Sequence, residues 1–150
     1  MPTPRPSIRP LADQEIRDFL AAHAVGRIAY SFKDRVDIVP IHYVFHDQWI
    51  YGRTSAGPKL TTLTHSHWVA FEVDEIFGIF HWTSVVVRGA LFLLDPETRP
   101  ADHDAWSHGV ALLRALLPET LTPDDPVPHR DVVFRIHVTD ASGRRAEPAG

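Results

Sequence analysis

Apolar and polar residues alternate with a period of two over most of this chain, and only two long stretches carry a helical period. The first helical stretch is residues 11–24, where Leu11, Ile16, Phe19 and Leu20 fall on one face and Glu15 and Asp18 on the other. Residues 25–32, Val-Gly-Arg-Ile-Ala-Tyr-Ser-Phe, predict a strand, and the polar triplet Lys33-Asp34-Arg35 predicts a turn. A second strand is predicted over residues 36–45. It contains Pro40, which implies an edge position or a bulge because proline cannot donate to a ladder. His46-Asp47 turns the chain into a third strand over residues 48–52.

A short helix is predicted over residues 58–65, opened by Pro58, whose missing N–H has no partner in a first helical turn anyway. Val69, Phe71 and Val73 alternate in a strand over residues 68–73, whereas residues 74–80 fit no single period. Residues 82–94 give the longest β signal, with Gly89 marking a bulge or bend. The second long helix spans residues 98–117, with Trp106, Val110, Leu113 and Leu117 near one face. A loop with four prolines follows over residues 118–129. The last strand alternates through Val132, Phe134, Ile136 and Val138. Short connections dominate and no β-α-β repeat appears, so the expectation is a mostly β protein: an antiparallel β-barrel with peripheral helices. Residues 1–10 read as a flexible arm, 11–145 as one domain and 146–150 as a flexible tail.

Composition narrows the function classes. The 150 residues are 44% hydrophobic and 23% charged, the balance of an ordinary globular domain. A formal net charge of -4 argues against a nucleic-acid-binding polycation, and no apolar run is long enough to span a bilayer. There is no cysteine, which removes disulfides, zinc–thiolate sites and thiol catalysis and fits a cytoplasmic setting.

Candidate chemistry concentrates where the third strand ends: Ile50-Tyr51-Gly52-Arg53-Thr54-Ser55-Ala56-Gly57-Pro58-Lys59-Leu60. A strand that ends in a turn before a helix start offers unpaired backbone N–H groups to an anion, and Arg53, Thr54, Ser55 and Lys59 add two cations and two hydroxyls. The turn is not a P-loop. Pro58 separates Gly57 from Lys59, and Leu60 stands where a Mg²⁺-binding hydroxyl is needed. A phosphate monoester needs only donors, hydroxyls and a cation. His42 and His46 would share a face of the second strand, but no acidic cluster accompanies them, so no metal site is expected. No Gly-x-Ser-x-Gly elbow supports a serine hydrolase. His81 and Trp82 are expected at a pocket mouth.

Four segments in order carry a resemblance: Val25-Gly26-Arg27-Ile28-Ala29 after the first helix; Val39-Pro40-Ile41-His42-Tyr43-Val44-Phe45; Arg53-Thr54-Ser55-Ala56-Gly57-Pro58-Lys59; and Trp82-Thr83-Ser84-Val85-Val86-Val87-Arg88-Gly89-Ala90. Over roughly residues 11–144 the chain resembles the pyridoxamine 5'-phosphate oxidase-like flavin proteins of the split β-barrel fold, and within them the nitroimidazole-resistance-type members. The resemblance implies a homodimer with FMN at the subunit interface and oxidoreductase activity on a small molecule. It places Arg53, Thr54, Ser55 and Lys59 on the phosphate and lays Pro40, Ile41, His42 and Tyr43 along the ring, largely through backbone groups. Trp82, Ser84 and Val85 complete the site. His42 and Tyr43 are the candidate proton donors to substrate. Pro58 stands where many relatives carry a histidine or another polar residue. The resemblance leaves haem or a deazaflavin as other cofactors, and a non-enzymatic flavin or haem carrier as the other function. Pyridoxamine 5'-phosphate oxidation itself would need a second phosphate site, and the sequence offers one.

Overall fold

The computed structural model describes residues 3–55 and 67–150. The predicted helix over residues 58–65, together with Lys59, lies outside the described residues. Seven strands and two helices follow in the order β1 (Ser7–Pro10), α1 (Asp13–Ala22), β2 (Val25–Phe32), β3 (Arg35–His46), β4 (Trp49–Thr54), β5 (His67–Gly78), β6 (His81–Leu94), α2 (His103–Leu116) and β7 (Val132–Glu147), with a 3-10 turn at Pro100–Asp102 leading into α2.

All strand pairings are antiparallel. The sheet order β1-β7-β4-β3-β2-β5-β6 is closed by a further pairing of β6 with β7, which makes a barrel of six strands with β1 added at the end of β7. Two hairpins are set by two-residue turns with positive φ, Lys33 and Asp34 between β2 and β3 and Asp47 and Gln48 between β3 and β4. Such left-handed pairs match the right-handed twist of the flanking strands. Alternation sorts the side chains. Ile28 and Tyr30 on β2, Val69, Phe71 and Val73 on β5, and Val85, Val87 and Leu91 on β6 fill the interior. Leu11, Ile16, Phe19 and Leu20 of the α1 region plug the same core. Helix α2 covers the outside of the barrel through a second core of Val110 and Leu113 with Leu94 and Val133. Each such fully buried aliphatic side chain contributes about 1.5–3 kcal/mol.

Gly89 sits at the expected bulge, where the β6–β7 register shifts after Arg88. A Cβ there would lie 1.9 Å from the carbonyl oxygen of His137, so only glycine allows the two backbones to approach. The structure differs from the sequence reading in several places, among them the last strand, which runs on from Val138 to Glu147. Residues 7–10 form β1, paired with Arg144 to Glu147 of β7, where an arm and a tail were expected. The second helix is shorter than 98–117. The unassigned residues 74–78 continue β5 into a hairpin with β6.

Candidate functional site

The described part of the site is built around a split between β3 and β4. The two strands pair only from Tyr43↔Gly52 to His46↔Trp49. Beyond that point β4 follows β7 through Arg53↔Val133 and Thr54↔Val132, and β3 follows β2 through Val25↔His42 and Arg27↔Pro40. The Tyr43 N–H donates to Ala24 O at 2.9 Å, toward β2. Antiparallel alternation therefore turns the backbone groups of His42 and Pro40 to the opposite side, into the split. Pro40 thus occupies an edge position, as expected, where its missing N–H costs no ladder bond. Thr54, the last residue of β4, and Ser55, which follows it, are both partly buried and lie past the last β3–β4 pair.

Arg53 has a different environment from the one expected of a phosphate cation. Its side chain is 8% exposed and forms a two-pronged ion pair with Asp125, whose side chain is 1% exposed. Nη2 donates to Asp125 Oδ1 at 2.9 Å, and Nη1 donates to Asp125 Oδ2 and to Arg130 O. Asp125 also accepts from the amides of Leu121 (2.9 Å) and Val127 (3.0 Å). The hydrogen bonds from Arg53, with these amides, hold its carboxyl well below the usual carboxylate range. The guanidinium is committed to the proline-rich loop, which it anchors beside the end of β4.

The remaining expected site residues divide by strand parity. Ile41, Tyr43 and Val85 point into the core and are buried, which leaves only their backbone for a ligand. The Tyr43 hydroxyl donates to Leu20 O at 2.7 Å, and burial pushes its pKa up. The phenol is a structural tie to α1, a correction to its reading as a proton donor. Pro40 and His42 face outward and are exposed. Ser84 shares that outward face and donates to Glu72 Oε2 at 3.1 Å. Trp82 lines a cavity of about 500 Å³ with Phe19, His23, Phe77, His81 and Arg145, so both His81 and Trp82 do sit at a pocket. Its indole N–H donates to Ile79 O at 3.2 Å.

Two strands, β2 and β5, separate β3 from β6. Ser84 is therefore about 14 Å from the Pro40–His42 edge across the face, three spacings of about 4.8 Å. Within one chain Pro40 and His42 continue β3, and Thr54 and Ser55 continue the chain from β4, past the last β3–β4 pair, whereas Trp82 and Ser84 stand on β6, beyond β2 and β5.

Between these halves lies a charged cluster that sequence patterning missed. Arg27 Nη1 donates to Glu72 Oε1 at 3.1 Å and to Asp74 Oδ2 at 3.0 Å. Burial and the neighbouring Asp74 raise the pKa of Glu72. The signal was available as outward positions of β2 and β5, but it needs the β2–β5 register to bring 27 beside 72. Around the cluster the outward face is apolar: Val25, Ile38 and Trp68 are each at least half exposed. Among the described residues no helix is long and apolar enough to cross a membrane.

A family model described as pyridoxamine 5'-phosphate oxidase matches residues 12–145. No curated protein matches the chain. Among solved structures, the chain is similar to a FAD-binding protein from Mesorhizobium loti, with 26% identity over 93% of this chain and 99% of the other and a TM-score of 0.67. A putative pyridoxamine 5'-phosphate oxidase from Corynebacterium glutamicum has 26% identity over 100% and 98% of the two chains, with a TM-score of 0.64. A putative 5-nitroimidazole antibiotic resistance protein from Bacteroides thetaiotaomicron shares the fold at 13% identity over 94% and 92%, with a TM-score of 0.52.

Proposed function

The chain belongs to the pyridoxamine 5'-phosphate oxidase family, and from that premise we propose that it is an FMN-dependent oxidoreductase of a small molecule, working as a homodimer with the flavin at the subunit interface. The observation that carries this reading is the split between β3 and β4. It turns backbone groups of Pro40 and His42 away from β2, toward the side on which β4 runs on into the hydroxyl residues Thr54 and Ser55. Backbone groups along a strand edge suit the polar rim of a flat ring, and two hydroxyls suit a phosphate. The flavin supplies the electron transfer when bound.

The chain's own residues divide the remaining work. Thr54, Ser55 and Lys59 hold the phosphate. Arg53, through Asp125, positions the end of β4 that carries Thr54. Trp82 and Ser84, too far from the split to serve it within one chain, complete the partner's site across a two-fold axis. The exposed apolar residues Val25, Ile38 and Trp68 favour a second copy as the cover for that face. Similarity to a FAD-binding protein supports flavin, and the hydroxyls of Thr54 and Ser55 support a phosphate.

The test compares FMN with riboflavin. Replacing Thr54, Ser55 and Lys59 together with alanine is expected to weaken FMN at least tenfold and leave riboflavin nearly unchanged. Equal weakening of both would move the phosphate elsewhere.

A further inference from the structure

The clearest cluster outside the flavin site joins α2 to the end of β3. His46, the last residue of β3, faces His108 in the middle of α2. The two rings stand edge to face, with centroids 5.1 Å apart. Nδ1 of His46 lies 3.4 Å from Nε2 of His108 and 3.5 Å from Oδ2 of Asp47. Two nitrogens bound to one tetrahedral ion at about 2.0–2.1 Å would be about 3.3–3.4 Å apart. The observed separation, that of a weak hydrogen bond between the two rings, is also the spacing that one such ion would need between them.

We propose that His46 and His108 form a binding site for a borderline divalent transition metal such as Zn²⁺, Ni²⁺ or Cu²⁺. Among the described residues no group of three or more His, Cys, Asp or Glu is placed to hold a metal ion. The site is therefore two imidazoles, with its other positions filled by water or by a carboxylate that turns in. Two carboxylates are near enough in sequence to turn in. Asp47 directly follows His46, and Asp104 is four residues before His108, one helical turn away on the same face. Imidazole selects the borderline metals over Mg²⁺ and Ca²⁺, which take oxygen ligands. The Tyr51 ring meets His108 edge-on at 5.6 Å and limits where that imidazole can turn. A bound ion would take the place of the contact between the facing nitrogens, each neutral imidazole carrying its proton on the other ring nitrogen. It would also clamp α2 to the barrel.

Calorimetry on untagged protein with Zn²⁺ and with Ni²⁺ tests the site. It should show one ion per chain, with affinity at least tenfold weaker in both His46→Gln and His108→Ala and unchanged in His129→Ala, an exposed loop histidine. With Cu²⁺, electron paramagnetic resonance should show superhyperfine splitting from two imidazole nitrogens. Binding that is equal in the wild type and in both variants, or a Cu²⁺ spectrum with fewer than two nitrogens, would overturn the proposal.

Discussion

Asp125 reaches back 72 residues along the chain to neutralise Arg53, and the pair is buried. A charge pair in this position is sensitive to the loss of one partner, because the other is left uncompensated in a low dielectric. Asp125→Ala should therefore lower the melting temperature by several degrees. Adding Arg53→Met to that variant should restore part of the loss, as measured by calorimetry on the two variants.

The same pair sets a pH dependence. The folded-state pKa of Asp125 is depressed, so its stabilisation is complete above the ordinary carboxylate range and is lost as pH falls into and below that range. Glu15 acts in the same sense: its hydrogen bond with Arg9 brings its pKa to about 2. Urea unfolding should give equal stability at pH 7 and pH 6 from these groups and a decline between pH 4 and pH 2. Asp125→Asn should flatten that decline.

Tyr43→Phe tests the assignment of this residue to structure. It removes the hydroxyl that donates to Leu20 O and leaves that carbonyl unpaired in the core. The expected cost is about 1–3 kcal/mol in denaturant unfolding, with FMN affinity unchanged. A loss of FMN binding at unchanged stability would return Tyr43 to the site.

The outward apolar face predicts the oligomeric state. Ile38→Asp combined with Trp68→Asp should convert a dimer to a monomer in sedimentation velocity. FMN affinity should fall with it, because Trp82 and Ser84 would no longer reach the partner's site. Neither residue has a buried side chain, so the fold should persist by circular dichroism.

The sequence was most readable where burial alternates strictly between two turns. β2 matches its expected bounds of Val25 and Phe32 because Ile28 and Tyr30 face the core and Lys33 and Asp34 close the hairpin. The far end of β5 was not readable because Glu75, Ile76 and Phe77 are all exposed in the hairpin, so no face is selected. β1 carried no pattern either: all four of its residues are exposed, and its partner lies at the other end of the chain. At the site, the parity of Pro40 and His42 follows from the strand pattern. The fate of Arg53 does not, since nothing near it in sequence announces Asp125. The separation of Trp82 and Ser84 from Pro40 and His42 also required the order β3-β2-β5-β6, which no local pattern contains.

The central claim is that the split between β3 and β4 holds FMN. Absorbance and fluorescence titration of the purified chain with FMN tests it most directly. The account predicts saturable binding at micromolar or lower concentration, with one FMN per chain and a perturbed flavin spectrum. No binding at micromolar FMN would contradict it.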